Sequence, residues 1–201
     1  MTDGVQYAGE FDIEEAILFS PNGEITDLMT DVSLVEINLY EDIFKSSITG
    51  SVVVADIADI ITKLPIMGQE KISLKMSTPS LTEKKDIIDF SKHHFSVYRL
   101  GSREDLSVGS KVYELHFIST EAIKDSRKRV SKSYIDSKAN IGDIVFDLLA
   151  EDIYGIQTSK EVFVEETTGT RNMVIPNSHP YSLITRLTKE AVSKNGSPHY
   201  V

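Results

Sequence analysis

The spacing of apolar residues changes near Ser119, and this change limits the fold more than any other feature of the 201-residue chain. Before Ser119, apolar and β-branched residues tend to alternate with polar ones, as in "EKISLKMS". Successive side chains of a strand point to opposite faces, so this pattern predicts β-structure. After Ser119, apolar residues recur every three or four positions, which predicts helices. The order indicates an α+β protein.

The first portion, residues 1–119, is predicted to be almost entirely strands. The strands fall at residues 11–19, 24–28, 31–42, 47–56, 70–79, 93–105 and 111–120. "SPNG" after the first strand is typical of a hairpin turn. Several short strands separated by turn residues predict a small antiparallel barrel or a sandwich.

One helix interrupts these strands. The segment "DIADIITKL" has apolar residues at helical spacing, and Asp56 is a suitable N-cap. Pro65 ends the helix because its ring clashes with the preceding turn, and Gly68 helps the chain turn back into the sheet. We expect the helix to pack on the sheet through its apolar side. The residues assigned to this structural element are Ile57, Ile60, Ile61, Leu64, Pro65 and Gly68.

The second portion, residues 120–201, is predicted to be a smaller α/β domain. "STEAIKDSRKRVSKSY" opens as a short basic helix or turn, and "NIGDIVFDLLAEDIYG" is a helix capped by Asn140 and stopped by Gly155. "EVFVEE" is predicted to be a strand. "NSHPYSLITRLTKEAVSKNG" is a helix with Pro180 in its first turn and a stop at Gly196. "SPHYV" looks like the start of another strand, so we expect the domain to be incomplete at its C-terminus.

Composition excludes several classes of function. The chain has no cysteine, which removes disulfides, thiolate zinc sites and cysteine nucleophiles. Its net charge of −10 argues against a general binder of DNA or anionic membranes. The phosphate-binding, dinucleotide-binding, metalloprotease and nucleophile-elbow motifs are all absent from the sequence. We therefore expect no cofactor, no metal and no catalytic residue.

Histidines, paired acids and one basic run are the polar groups that could carry a function. His93 and His94 are adjacent on a predicted strand, so they face opposite ways and are poorly placed to share a metal ion. The acid pairs Glu41/Asp42, Asp56/Asp59 and Glu165/Glu166 are at element ends, where acids commonly cap helices or face water. The basic run is the one local reversal of charge, and it is either a solvated face or a contact between subunits. Its candidate residues are Lys124, Arg127, Lys128 and Arg129.

A family resemblance covers most of the chain from about Phe11. "INLYEDIFKSSITGSVVVADIADIITKLPIMGQEKISLKMSTP" joins a strand ending in acid-Ile-Phe, a second strand ending in an acid, the helix with Leu-Pro-Ile, and Gly-Gln-Glu before the next strand. With "FISTEAIKDSRKRVSKSY" and "SPHYV", it resembles the N-terminal region of baseplate hub proteins of contractile-tailed bacteriophages, the family of the T4 gene product 27 hub. The resemblance implies a tail-tube-like barrel over residues 1–119, with the helix lying against it.

The resemblance also implies a non-enzymatic part of a virion. Such hubs are homotrimeric rings that adapt the six-fold tail tube to the three-fold central spike. The implied partners are the tail tube protein, the spike protein and the tape-measure protein, while DNA passes through the lumen without specific binding and no membrane is involved. The implied location is the tail baseplate, assembled in the host cytoplasm. The alternative is the corresponding portion of a type VI secretion or tailocin spike, and a hydrolase is the weaker third hypothesis.

Overall fold

The structure of the protein is a computed structural model. It describes residues 11–56, 66–78, 87–107, 110–135, 138–150 and 153–197. The chain divides into two compact units, Met1–Tyr40 with Thr49–Ser119, and Glu41–Ile48 with Thr120–Val201. The connection 41–48 therefore groups with the second unit although it joins two strands of the first.

The first unit is an antiparallel sheet that curls into a half-barrel. Its path runs β2-β1-β5-β7-β8-β4-β3, and a short strand, β6, pairs with β5. The α+β class is thus confirmed, and β6 is an addition that the sequence did not predict. The strands are β1 (Asp12–Phe19), β2 (Ile25–Asp27), β3 (Ser33–Tyr40), β4 (Thr49–Asp56), β5 (Lys71–Ser77), β6 (Ile87–Asp89), β7 (Phe95–Ser107) and β8 (Ser110–Ser119).

The core of the first unit forms where β4 and β8 pair. Their register is continuous from Thr49 opposite Ile118 to Asp56 opposite Lys111. Alternate residues of both strands face the core, and they are almost completely buried. The ring of Phe117 packs on that of Phe95, with 4.8 Å between their centroids. The main core residues of these two strands are Val52, Val54, Tyr113, Leu115 and Phe117.

The described residues of the second unit form three helices and a two-stranded sheet. Its elements are α1 (Thr120–Arg127), β9 (Val130–Tyr134), α2 (Ile141–Ala150), β10 (Met173–Ser178) and α3 (Pro180–Glu190). The apolar sides of α2 and α3 share one core with Val130, Tyr134 and Ile175. The most buried residues of these two helices are Ile144, Leu148, Leu183, Ile184 and Leu187.

The caps of the two long helices show what local sequence decides. Asn140 caps α2 as predicted, because its Oδ1 accepts a hydrogen bond of 2.8 Å from the amide of Asp143. Pro180 is in the first turn of α3, also as predicted. The stop at Gly196 is wrong, since α3 ends at Glu190 and Ala191 is already extended. Gly196 instead lies in a later turn, with φ of 79°.

Three further predictions fare differently. The strand predicted at "EVFVEE" is wrong, because residues 161–166 have no paired strand. β9 and β10 were missed, and they form because each supplies the other's hydrogen bonds, from Met173 opposite Tyr134 to Ser178 opposite Val130. The strand expected to begin at "SPHYV" lies almost wholly outside the described residues. No described helix is long and apolar enough to span a bilayer.

Candidate interaction surfaces

Of the residues assigned to the predicted helix between β4 and β5 and to the turn after it, the structure describes only Gly68. Ile57, Ile60, Ile61, Leu64 and Pro65 lie outside the described residues, so their packing against the sheet stays a prediction. Gly68 is described, and its φ of 78° is the left-handed conformation that glycine adopts without strain.

The turn that contains Gly68 is held by a buried carboxylate. Glu70 is 1% exposed, and its two oxygens accept hydrogen bonds from the amides of Met67, Gly68 and Gln69 at 2.8, 2.8 and 3.1 Å. A carboxylate needs such donors when it leaves water. Glu70 therefore positions this turn directly before β5, a role that the sequence did not single out.

The predicted basic contact divides into two pairs. Lys124 donates to the carbonyl oxygen of Gln157 at 2.6 Å, and Arg129 donates to that of Asn177 at 3.1 Å. Both acceptor residues have positive φ, 58° and 42°, which is uncommon for residues with side chains. Lys124 and Arg129 thus stabilise the positive-φ backbone of Gln157 and Asn177 within their own unit. All four basic residues stay predicted candidates for a contact between subunits.

The described polar candidates each make local contacts. Asp42 Oδ1 accepts from the amide of Phe44 at 2.9 Å, and Glu166 pairs with Lys194 at 2.5 Å. His94 packs on the ring of Phe19, with centroids 4.7 Å apart, in the bend before β7. Within the described ranges there is no cluster of three His, Asp or Glu residues able to hold a metal ion.

Among the described ion pairs of the second unit, the one between Glu121 and Lys160 has the most buried carboxylate. Glu121 is 6% exposed, and its carboxylate meets Lys160 Nζ at 3.0 Å and the Thr158 hydroxyl at 3.0 Å. Burial alone raises the pKa of Glu121, but the hydrogen bonds from its own backbone, Lys160 and Thr158 outweigh burial, and the net pKa is lowered. The carboxylate is therefore held charged, which makes it a poor general acid.

Three large apolar side chains are exposed between the end of β3 and the start of β4 in the sequence. Tyr40, Ile43 and Phe44 fall within five consecutive residues and are 60%, 60% and 67% exposed. They lie at the end of β3 and in the turn fixed by Asp42. Tyr40 ends the first unit, whereas Ile43 and Phe44 belong to the second unit and are the apolar residues of the acid-Ile-Phe motif quoted above. Single exposed apolar residues are common on soluble proteins, so the adjacent pair Ile43 and Phe44 is the better candidate for an interaction surface.

β3 itself is one end of the described sheet path. It pairs with β4 only, and a register shift between Leu34 and Glu36 marks a bulge. Two apolar residues of β3, Ile37 and Leu39, are only half-buried. An edge strand offers unpaired amides and carbonyls to any second strand that comes near it.

A second surface lies in the extended segment 161–166, which we call the arm. Phe163 is 93% exposed, the highest value among the described large apolar residues. Val162 and Val164 are half-buried, and Val164 packs on the core of the second unit. The arm therefore alternates inward and outward like a strand, although no described strand pairs with it.

A groove opens in the same unit between the start of β10 and α3. It encloses about 600 Å³, and Arg171 makes an ion pair with Glu190 on its rim. Its apolar residues are Met173, Val174 and Leu187. The other residues that line the groove are Thr170, Asn172 and Arg186.

Comparison with known proteins shows a likeness to solved structures. No protein-family model matches the chain, and no curated protein sequence matches it. Among solved structures, the chain is similar to the c3393 protein of E. coli, a component of the type VI secretion system with structural similarity to the T4 bacteriophage tail proteins gp27 and gp5. The TM-score is 0.49 at 14% identity, over 90% of this chain and 43% of that one. The chain thus spans less than half of the length of the c3393 protein.

Proposed function

We propose that this chain is a structural component of a phage-type tail, which acts as a baseplate hub at the junction of tail tube and central spike. On this proposal it assembles as a homotrimeric ring with tail-tube-like barrels. It binds the tube protein on one side and the spike protein on the other, and it carries no catalytic centre of its own. The same role in a type VI secretion or tailocin spike is the second candidate.

The observation that carries the proposal is the unpaired end of the antiparallel sheet. β3 has eight residues, its edge has no described partner strand, and its last residue, Tyr40, is 60% exposed. A surface of this kind favours aggregation unless another subunit covers it. Ring assembly supplies such a cover, and the sequence resemblance to hub proteins includes the same residues.

The charge of the chain is compatible with a lumen that passes DNA. Affinity for nucleic acid comes largely from cations that meet phosphates. A net charge of −10 keeps such affinity low. We therefore expect that DNA slides past the ring without specific binding, in line with a structural role.

The test is the mass of the purified protein in solution, measured by light scattering over a range of concentrations. A trimer supports the hub, and a strict monomer at about 100 µM would overturn it, since stable oligomers have far lower dissociation constants. Tyr40→Ser with Phe44→Ser should shift the equilibrium toward monomer. A matched variant, Tyr98→Ser, is 48% exposed on β7, which is paired on both sides, and should leave the mass unchanged.

Electron microscopy then separates the two candidates. The trimer is mixed with the purified tube and spike proteins encoded beside it, and end-on views are classified by symmetry. A three-fold ring capping a six-fold tube supports the hub role. Neighbouring genes of a virion or of a secretion system decide between the phage and secretion settings.

A further inference from the structure

We propose that His116 and its two charged neighbours form a pH-sensitive switch on the surface of the first unit. When His116 is neutral, its Nε2 atom accepts a hydrogen bond from the guanidinium of Arg99. When His116 takes up a proton, the same atom donates to Glu114, and Arg99 is released to solvent. This inference goes beyond the proposed function and does not depend on it, because the three residues lie in one unit of one copy.

A bulge in β7 brings Arg99 to the imidazole. Arg99 is opposite His116 of β8, and the register shifts between Val97 and Arg99, which leaves Tyr98 as an extra residue on the bulged strand. Bulges redirect the side chains beside them. As a result, Nη2 of Arg99 lies 2.7 Å from Nε2 of His116, and 6.3 Å separates the ring centroids of Tyr98 and His116.

Glu114 reaches the same nitrogen atom from β8 itself. It precedes His116 by two residues, so both side chains point to one face of the sheet. Its Oε2 lies 3.3 Å from Nε2 of His116, and the two side chains are 28% and 16% exposed. The nitrogen atom is therefore close to one cation and one anion, with limited access for water.

The backbone of β7 passes close to both groups at a second register shift, between Leu100 and Arg103. Gly101 lies in this shift. A Cβ atom there would be 2.7 Å from Nε2 of His116 and 3.1 Å from Oε2 of Glu114. Because glycine has no Cβ atom, it leaves the space in which the imidazole and the carboxylate stay together.

The chemistry of the three groups fixes the proton of His116 in this arrangement. A guanidinium has five N–H donors and no acceptor. Nε2 of His116 is therefore the acceptor of the 2.7 Å bond from Arg99, and the proton of the neutral ring is on Nδ1. An ionised carboxylate only accepts, so Glu114 makes no hydrogen bond to the same unprotonated nitrogen at 3.3 Å. Nε2 bonds to Arg99 or to Glu114, but not to both.

Proton uptake reverses the choice of partner. Histidine is the side chain that ordinarily changes its charge between pH 5 and 8. The added proton goes to Nε2, since Nδ1 already carries one, and turns Nε2 from an acceptor into a donor. The imidazolium then repels the guanidinium of Arg99 and gains a charge-assisted hydrogen bond to Glu114. Arg99 is an exposed residue, so its guanidinium moves into water when it is released.

The other described neighbours of His116 are uncharged or already hydrogen-bonded. On β4, the residue paired with His116 is Ser51, which carries no charge. On β3, Asn38 lies 3.4 Å from the Ser51 hydroxyl and donates to the carboxylate of Glu36 at 2.8 Å. Tyr98 of β7 contributes the ring contact described above. The switch therefore depends on the two charged partners of the imidazole.

Nuclear magnetic resonance of the isotope-labelled full chain tests the switch. Long-range proton–nitrogen spectra show which imidazole nitrogen carries the proton, and His116→Gln identifies the His116 signals among those of the five histidines. At about pH 8.5, well above the ordinary histidine value of about 6.5, we expect the proton on Nδ1. At about pH 5 we expect both nitrogens to be protonated. The two amino groups of the Arg99 guanidinium should give separate signals at the higher pH and one averaged signal at the lower pH, because release lets the group rotate.

Two single changes should move the proton differently. Arg99→Ala removes the donor, so the neutral ring should adopt the Nε2–H tautomer and donate to Glu114. We expect the ratio of the two tautomers at about pH 8.5 to change by about tenfold. Glu114→Gln should keep the Nδ1–H tautomer, and the release of Arg99 should then need a lower pH because the imidazolium has lost its anionic partner. Arg186→Ala is the matched control, since it removes one exposed cation from the second unit and should change neither readout.

The wild-type spectra alone are able to overturn the switch, without any variant. A proton on Nε2 at about pH 8.5 would mean that Arg99 does not bond to the neutral ring. A guanidinium that keeps separate signals while His116 takes up its proton would show that Arg99 is not released. A tautomer ratio that Arg99→Ala leaves unchanged would also contradict the inference. Light scattering decides the hub proposal separately, so each of the two proposals is able to fail alone.

Discussion

Replacing Gly50 with alanine tests whether the first unit requires a residue without a Cβ atom where β3, β4 and β8 meet. Gly50 is on β4, opposite Leu39 of β3 and Phe117 of β8. A Cβ at this position would lie 2.3 Å from the carbonyl oxygen of Asn38 and 2.4 Å from Cζ of Phe117. Both separations are far below van der Waals contact, so the strand, the ring or both must move.

The expected cost follows from what can move. Phe117 is 0% exposed and packs on Phe95, so its ring has little free space. Overpacking a core of this kind costs about 1–3 kcal/mol. Alanine also lowers the conformational entropy of the unfolded chain, which stabilises the folded state by about 0.4–1 kcal/mol. Because both contacts are so short, the overpacking cost should lie in the upper half of that range, at about 2–3 kcal/mol. We therefore expect a net loss of about 1–2.6 kcal/mol in the free energy of unfolding.

The assay is urea unfolding followed by far-ultraviolet circular dichroism, since the chain has no tryptophan. Phe117→Leu removes the outer ring atoms, so Gly50→Ala with Phe117→Leu should be less destabilised than the sum of the single changes, by about 0.5–3 kcal/mol. Ser51→Ala is the control, because it loses only a long contact of 3.4 Å with Asn38 and should cost below about 1 kcal/mol. A Gly50→Ala protein within about 0.5 kcal/mol of wild type would refute the reasoning.

Three further predictions concern the second unit. Leu148→Ala should cost about 2–5 kcal/mol, because Leu148 is 1% exposed in the core between α2 and α3. Asn140→Ala should cost about 0.5–2 kcal/mol through loss of the α2 cap. Glu121 has a lowered pKa, so its contribution to stability is present above its ordinary value of 4.5 and is lost as the pH falls below it. Glu121→Gln should therefore flatten the decline of stability below pH 4.5 in acid unfolding curves.

Each of these predictions has a matched control. Phe146→Ala is on the same helix as Leu148 but is 48% exposed, so an equal loss from the two would contradict the assigned core. Asn140→Ser keeps a capping oxygen and should restore most of the stability lost with alanine. An acid unfolding curve of Glu121→Gln that keeps the wild-type slope would show that this carboxylate is not held charged by Lys160 and Thr158.

The sequence predicted elements well where local signals coincide. The alternating runs at 47–56, 70–79 and 111–120 became β4, β5 and β8, because both the period and the β-branched composition favour strands there. Asn140 and Pro180 marked the starts of α2 and α3, since caps act within a single turn. The end of α3 was predicted too late, because its chain turns extended at Ala191 without any glycine.

The chain alone therefore determined the α+β class, most strands of the first unit and the apolar sides of the long helices. These follow from side-chain periodicity, which is a local property. Only the tertiary structure decided which extended segments pair. β9 and β10 became strands because each pairs with the other, whereas no described strand pairs with residues 161–166, although their composition favours a strand. Strand pairing joins residues far apart in the chain, as Met173 and Tyr134 are, so no local pattern can specify it.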